Sequence, residues 1–513
     1  MKSNVEINKG LVLKGTSSGL IARIINVGLV VWFNQFLIRR ISAEEYSIYP
    51  LVLAIMSLLL IIQIAVDNCN SRYITAEYAK GNLDEVKRIS STMIIYNLII
   101  CLFLIVIGIF LCWKIDKILT INPLYINSIR IMIAIAMLSL IVNLIISPLK
   151  AGIVAKQKYI ESNIIEVFVE VFRLIFLCIL LFFVSTRVIW IVVATESAKL
   201  LGNLACMMIS IRSIPALTFS ISSVEIKRGY QLLTFGGWTF IGEVANRIRI
   251  SINPIILNNL ATPFDVTSFH IGTLFPRQIH RARIIATNSI FPSLVAMYET
   301  RQKERLKNTF LKFGRITIWT YMLIALPLII YSSDFIKLYI GNQYLRAGPV
   351  IILVLINEIP YLGLSMIDEL SRALARVKSL TIRSIIILIF NLSITIYLVG
   401  FLKMGAIGAA LGTLISGAFI RTAIMIPMGL QLTGLDLPTW LNKTVIPGFF
   451  PCLPGASIWI LLKLLHAPDT WIKLILYGLA GAVVYFIFLI KFSLQPDDRK
   501  DLNRIRSYLS SRK

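Results

Sequence analysis

Residues 269–284 read FHIGTLFPRQIHRARI and place His270, Arg277, His280, Arg281 and Arg283 between two apolar stretches. On a helix, His270, Arg277 and Arg281 fall at i, i+7 and i+11, which is one face. His280 and Arg283 widen that polar surface sideways. Pro276 removes a rung of the backbone ladder just before them. Guanidinium forks match phosphate oxygens two at a time, so this face suits a phosphate-bearing anion. The competing reading is that Arg281 and Arg283 close a helix and reach towards lipid headgroups.

Two other stretches carry charge where an apolar run is due. GTSSGLIARIINVGLVVWFNQFL holds Arg23, Asn26 and Asn34 on roughly one face, and GGWTFIGEVANRIRISINPIIL holds Glu243, Asn246, Arg247 and Arg249. Glu243 and Arg247 stand at i, i+4 and can neutralise each other, whereas Arg23 has no acid near it in sequence. YIESNIIEVFVEVFRLIF carries Glu166, Glu170 and Arg173 at i, i+4, i+7, the spacing of a structural ion-pair ladder rather than of a proton relay. Asp67, Glu243 and Glu358 are the carboxylates expected to couple to an ion, and Glu358, just before Pro360, is placed the most centrally in its span.

The elements that position these groups follow from composition. The 513 residues are 57% hydrophobic and 15% charged, against roughly 25% charged in soluble domains. Apolar runs such as LVLAIMSLLLIIQIAV and IIYNLIICLFLIVIGIFLCW match the roughly 20 residues a helix needs to cross lipid. They are too continuous for barrel strands. The chain is therefore an all-α integral membrane protein. Fourteen spans are predicted, near 16–38, 46–66, 90–112, 129–149, 160–184, 188–210, 231–257, 264–290, 314–332, 347–369, 379–400, 404–429, 442–464 and 471–492. The polar start MKSNVEINKGLVLKG does not read as a cleavable signal. The six cysteines include no CxxC pair and read as buried thiols, with neither a disulfide nor a metal site implied.

The net charge is +25. With the N-terminus inside, most loop Lys and Arg fall on the cytoplasmic side, including RQKERLKNTFLKFGR, SRALARVK and the tail DDRKDLNRIRSYLSSRK, so both termini are expected in the cytoplasm. The chain also matches itself at one offset. Tyr78 falls on Tyr298, Lys87 on Lys307, Ala155 on Ala375, Lys158 on Lys378 and Asn26 on Asn246, each pair 220 positions apart. The repeat predicts two six-helix lobes in parallel orientation, a transporter architecture. The expected division is 1–212 for the first lobe, 213–229 for a cytoplasmic linker, 230–430 for the second lobe, 431–493 for two further helices and 494–513 for a basic tail. The same offset lays 267–287 over 47–67, a plain span, so the stretch 269–284 is itself a membrane helix with Arg277 near mid-depth. An arginine there costs at least about 2.5 kcal/mol unless it faces protein or water.

Other functions find no support in the residues. There is no Walker A sequence, HExxH or GxSxG, and Asp497–Asp498 in the tail is the nearest thing to an acidic metal pair. No loop is long enough for a catalytic domain, so the chain is not expected to be an enzyme. Neither a cofactor nor a nucleic-acid partner is expected.

Two lobes, fourteen helices and a basic interior resemble the polysaccharide-export flippases of the multidrug/oligosaccharidyl-lipid/polysaccharide exporter superfamily. RRISAEEYSIYPLV, GAIGAALGTLISG and the Ala-Lys or Ala-Arg turns after the fourth and tenth spans carry the likeness. Ser47 stands where that family usually has glycine. The resemblance implies a flippase that moves an undecaprenyl-diphosphate-linked oligosaccharide, of the O-antigen type used for lipopolysaccharide, across the bacterial inner membrane by alternating access. The implied substrate-binding residues are Arg23, Asn26, Arg247, Arg249, His270, Arg277 and Arg281. The implied drive is a proton or sodium gradient, or downhill supply of substrate. Membrane lipids are implied partners, and other polysaccharide-assembly membrane proteins are candidates. The alternatives are a lipid II-type flippase, a small-molecule exporter and, outside transport, an integral membrane enzyme of polysaccharide assembly.

Overall fold

Helix ends in this chain are set by short polar signals between long apolar runs. Ser42 accepts from the Glu45 amide at 3.2 Å and opens a helix over Ala43–Ala79 with Glu44 and Glu45 in its first turn, where acids suit the positive end of the helix dipole. Asp436 does the same for Thr439 at 3.0 Å. Ser47 lies within that first turn of Ala43–Ala79, buried, with its hydroxyl on the Glu44 carbonyl at 2.7 Å. Ordinary helical backbone serves there without glycine.

The computed structural model describes residues 28, 35–225, 237–288, 294, 297, 300, 302–373 and 377–500. Every regular element among them is helical. In chain order, α1 is described at 28 and 35–38 only. Then come α2 (Ala43–Ala79), α3 (Leu83–Ile118), α4 (Ile126–Lys150), α5 (Tyr159–Phe183), α6 (Ile189–Ser213) and α7 (Gly237–Leu260). They are followed by α8 (Pro263–Asn288), α9 (Lys303–Ile330), α10 (Ala347–Glu358, continued by a tighter turn over Ile359–Leu364), α11 (Val377–Ile396) and α12 (Gly405–Leu414, running on to Thr433). The last two are α13, within Leu437–Leu465, and α14 (Trp471–Phe488). From α2 to α14 these match the second to the fourteenth expected spans; most of the first, 16–38, lies outside the described residues. Among the described residues, ten helices are long and apolar enough to cross a membrane. Helices α5, α7 and α8 are not among the ten, because α5 and α7 carry too many charges and α8 is too polar throughout.

The chain divides into two units, Met1–Asn259 and Leu260–Lys513. In the first, α4 is central and packs on α2, α3 and α6. Asn97 of α3 donates to the Leu144 carbonyl of α4 at 2.7 Å. Of the expected ladder on α5 one rung is seen, the buried Arg173 donating through Nε to the half-buried Glu170 at 2.9 Å. In the second unit, α9 is the post around which the rest assembles. Trp319 donates to the Pro447 carbonyl at 2.9 Å, Tyr321 to the Leu355 carbonyl at 3.0 Å, and Tyr485 of α14 to the Trp319 carbonyl at 3.1 Å. Phe310, Leu311, Tyr361, Ile367, Met425 and Trp440 fill the core beside it.

Candidate functional site

Helix α8 packs along α10 in the second unit, and two features set that contact. Asp265 in the first turn of α8 accepts from Thr262 Oγ1 at 2.7 Å and from the Ala406 amide at 3.1 Å, so it fixes the start of α8 against the start of α12. Gly272 then lets α8 come close. A Cβ there would stand 2.6 Å from the Val350 side chain and 2.9 Å from the Ala347 carbonyl.

Below that crossing the polar residues of α8 separate. His270 is buried at 7% exposure, and Leu274 at 8%. Arg277 is half-buried and Arg281 is exposed. The expected single wet face therefore runs from the protein interior to the surface, with Arg277 at the change. Among the described residues Arg277 makes no hydrogen bond or ion pair. Arg277 and Arg281 are four residues apart, about 6 Å along the axis, a spacing that can hold two phosphoryl groups.

His280 and Arg283 of α8 are occupied. Glu358, at the end of the α-helical part of α10, is 8% exposed. Its Oε2 lies 3.1 Å from His280 Nδ1 and 3.2 Å from the Arg283 terminal nitrogen, while Asn357 donates to Oε1 at 3.2 Å. A proton on Nδ1 is what lets His280 donate to this carboxylate. The Arg283 guanidinium also sits over the Tyr361 ring, 5.0 Å from its centre. Tyr361 donates to Asp368 at 2.6 Å, and Arg383 of α11 donates to the same carboxylate at 2.8 Å. This makes a continuous line of charge from α8 through the turn at Ile359–Leu364 to α11. The sequence singles out His280, Arg283 and Glu358 but not Tyr361 or Arg383, and nothing local joins Glu358 to Arg283, 75 positions away.

In the first unit, Arg247 of α7 donates through Nε to Glu243 at 3.1 Å, the i, i+4 pair anticipated above, with both groups about one-third exposed. Arg249 donates to Asn246 at 2.9 Å. Asp67, near the middle of α2, accepts from Ser147 and lies 3.5 Å from Gln63 Nε2. Asn70 donates to Ser147 at 2.8 Å, and Lys150 donates to Asn203 at 3.0 Å. Arg23, Asn26 and Asn34 lie outside the described residues. No group of three or more His, Cys, Asp or Glu able to hold a metal ion is found among the described residues.

A fold of this kind, with an unpaired arginine inside it, finds its match in sequence. Residues 12–295 match the family of polysaccharide biosynthesis proteins. The chain belongs to that family. No protein in a curated set matches it in sequence. Solved structures resemble this family member in fold. One is a lipid II flippase, MurJ, in an inward closed conformation, at 14% identity, covering 93% of this chain and 98% of that one with a TM-score of 0.68. A second is an inward-facing multidrug resistance MATE transporter of the MOP superfamily, at 10% identity, 82% and 98% coverage and a TM-score of 0.65. A third is a MOP superfamily transporter from Pyrococcus furiosus, described by the reversed polarity of its binding pocket, at 11% identity, 84% and 99% coverage and a TM-score of 0.59. The polysaccharide biosynthesis family member thus has the architecture of the exporter superfamily that its sequence resembles.

Proposed function

We propose that the protein is a flippase for a lipid-linked oligosaccharide, carrying an undecaprenyl-diphosphate repeat unit of the O-antigen type across the bacterial inner membrane by alternating access. Arg277 carries this reading. Arg283, Arg315 and Arg383 of the same unit each have a carboxylate partner, and Arg277 does not. A half-buried guanidinium without a counter-ion is expensive in a membrane protein, and a diphosphate is the counter-ion that would complete it. Arg281 one turn on would take the second phosphoryl group, and the sugar would meet the polar groups around them. His270 would serve as a further contact on α8, and Arg23, Asn26, Arg247 and Arg249 are proposed as substrate contacts of the first unit, considered by itself.

The MurJ likeness favours a second reading, transport of a lipid II-type substrate, which shares the diphosphate and differs in its sugars. A cation exporter fits poorly, since the unsatisfied charge is positive. For coupling to a proton or sodium gradient, Asp67 is the carboxylate we favour. Glu243 and Glu358 already neutralise cations, while Asp67 has no ion-pair partner among the described residues and is held by neutral groups.

The test is translocation in reconstituted vesicles, read by exposure of the headgroup to an added pyrophosphate-cleaving enzyme. Undecaprenyl-diphosphate oligosaccharide should cross with the wild-type protein. Arg277→Ala should reduce the rate at least tenfold, since a charged hydrogen bond is worth roughly 1.5–3 kcal/mol. Arg277→Lys should recover part of it, because the charge stays and the fork is lost. Faster transport of lipid II would move the assignment to the second reading. Sugar transfer without translocation would make the protein an enzyme.

A further inference from the structure

Glu358 holds on Arg283 and His280 the position that a phosphate oxygen would take. We infer that Glu358 is a built-in competitor anion, which a diphosphate must displace to reach the inner half of the α8 cation set. This rests on the reading of Arg277 and Arg281 as the outer half of a diphosphate site, and it concerns how that site selects its ligand.

The geometry supports displacement. His280 and Arg283 share one carboxylate oxygen, Oε2, at 3.1 and 3.2 Å. The Arg283 Nε is buried with no hydrogen-bond partner, as is Asn357 Oδ1. The guanidinium is thus engaged through one terminal nitrogen and keeps donors unused, where a phosphoryl group with three oxygens could take two. The His280 side chain is 37% exposed while those of Arg283 and Glu358 are 9% and 10% exposed, so an incoming anion meets the cluster at its histidine edge. His280 lies three residues from both Arg277 and Arg283, and Arg281 lies one turn beyond Arg277. A diphosphate seated on Arg277 and Arg281 therefore has the next cation of the same helix within one turn. The Tyr361 ring under Arg283 and the Asp368–Arg383 pair behind it keep the guanidinium in place when its carboxylate leaves.

Such a competitor subtracts the same amount from every anion. Monoanionic phosphodiester headgroups surround this protein at high concentration and contact arginines readily. A uniform penalty leaves them below the threshold and leaves a diphosphate above it, which is selectivity by opposition. It also gives the carrier a way to release: the carboxylate returns to Arg283 as the headgroup departs.

The experiment uses the full-length protein in lipid nanodiscs and inorganic pyrophosphate as the probe, with affinity measured by calorimetry. Glu358→Gln keeps the shape and removes the charge. It should tighten pyrophosphate binding by roughly tenfold or more, the worth of a charged hydrogen bond. The gain should vanish in Glu358→Gln combined with Arg283→Gln, as coupled partners require. Glu358→Asp, which keeps the charge but withdraws it from Arg283, should give a smaller gain and serves if the glutamine variant does not fold. Unchanged or weaker pyrophosphate binding in Glu358→Gln overturns the inference. Arg277→Ala separates that result from failure of the site itself: if it still abolishes pyrophosphate binding, the diphosphate reading stands and only the competitor role of Glu358 falls. If Arg277→Ala binds pyrophosphate like wild type, both fall.

Discussion

Two arginines in the second unit show how one side chain can be structural in one place and functional in another. Arg315 on α9 is closed on all sides. It donates to Asp498 through Nε at 3.1 Å and through a terminal nitrogen at 3.0 Å, and to the Lys443 carbonyl at 2.6 Å, with both side chains 5% exposed. Arg277 has none of these partners. In the sequence Asp497 and Asp498 are two equivalent acids in a basic tail, because nothing local ties either to α9. The structure distinguishes them, since Asp497 is exposed and only 3.9 Å from Lys500. Asp498→Ala leaves a buried guanidinium uncompensated, a loss of about 3–5 kcal/mol, and should lower the thermal midpoint of the detergent-solubilised protein clearly. Asp497→Ala should leave that midpoint where it is. Equal midpoints for the two variants would mean that the Arg315 clamp contributes no stability.

At the scale of elements, the apolar runs fixed the helices and the repeat rescued α8, whose composition does not reach that of a spanning helix. Arg277, Arg281 and Arg283 make α8 polar, yet the apolar helix α2 at the same place in the repeat argued that α8 crosses too. The break in α10 after Glu358 was legible only as Pro360. What faces α8 there depends on packing between residues far apart in the chain, which periodicity cannot report. The contact at Gly272 is the clearest case: glycine in a helix reads as a weak spot, and only the crossing with Val350 explains it. Gly272→Val should force α8 and α10 apart at a cost of about 1–3 kcal/mol, pull Arg283 away from Glu358, and reduce both folded yield and translocation. Gly478→Val on α14 is the control, since a Cβ there meets nothing within 4 Å. If both variants accumulate and transport like wild type, the close crossing does not position the cation cluster.

At the scale of the molecule, the 220-residue offset sets α8 against α2 but does not carry over their charge. Ser57, Ile61 and Gln63 of α2 stand where α8 has Arg277, Arg281 and Arg283. Two helices at equivalent places in the repeat thus differ in charge, and the proposed anion site draws on the second of them, α8. Its use as a flippase requires loading from the side where the lipid-linked sugar is made, so orientation is part of the mechanism. The excess of loop Lys and Arg predicts that 298–312 and both termini face the cytoplasm, and an even number of spans requires the termini to share a side. The loop between α13 and α14 must then face the opposite way. Alkaline phosphatase, active only outside the cytoplasm, should be inactive when fused after Arg301 and active when fused after Asp469. Activity at both positions would break the order of spans between α8 and α14. Activity after Arg301 alone would invert the protein, and the arginines of α8 would then lie at the wrong end of the path for a substrate assembled in the cytoplasm.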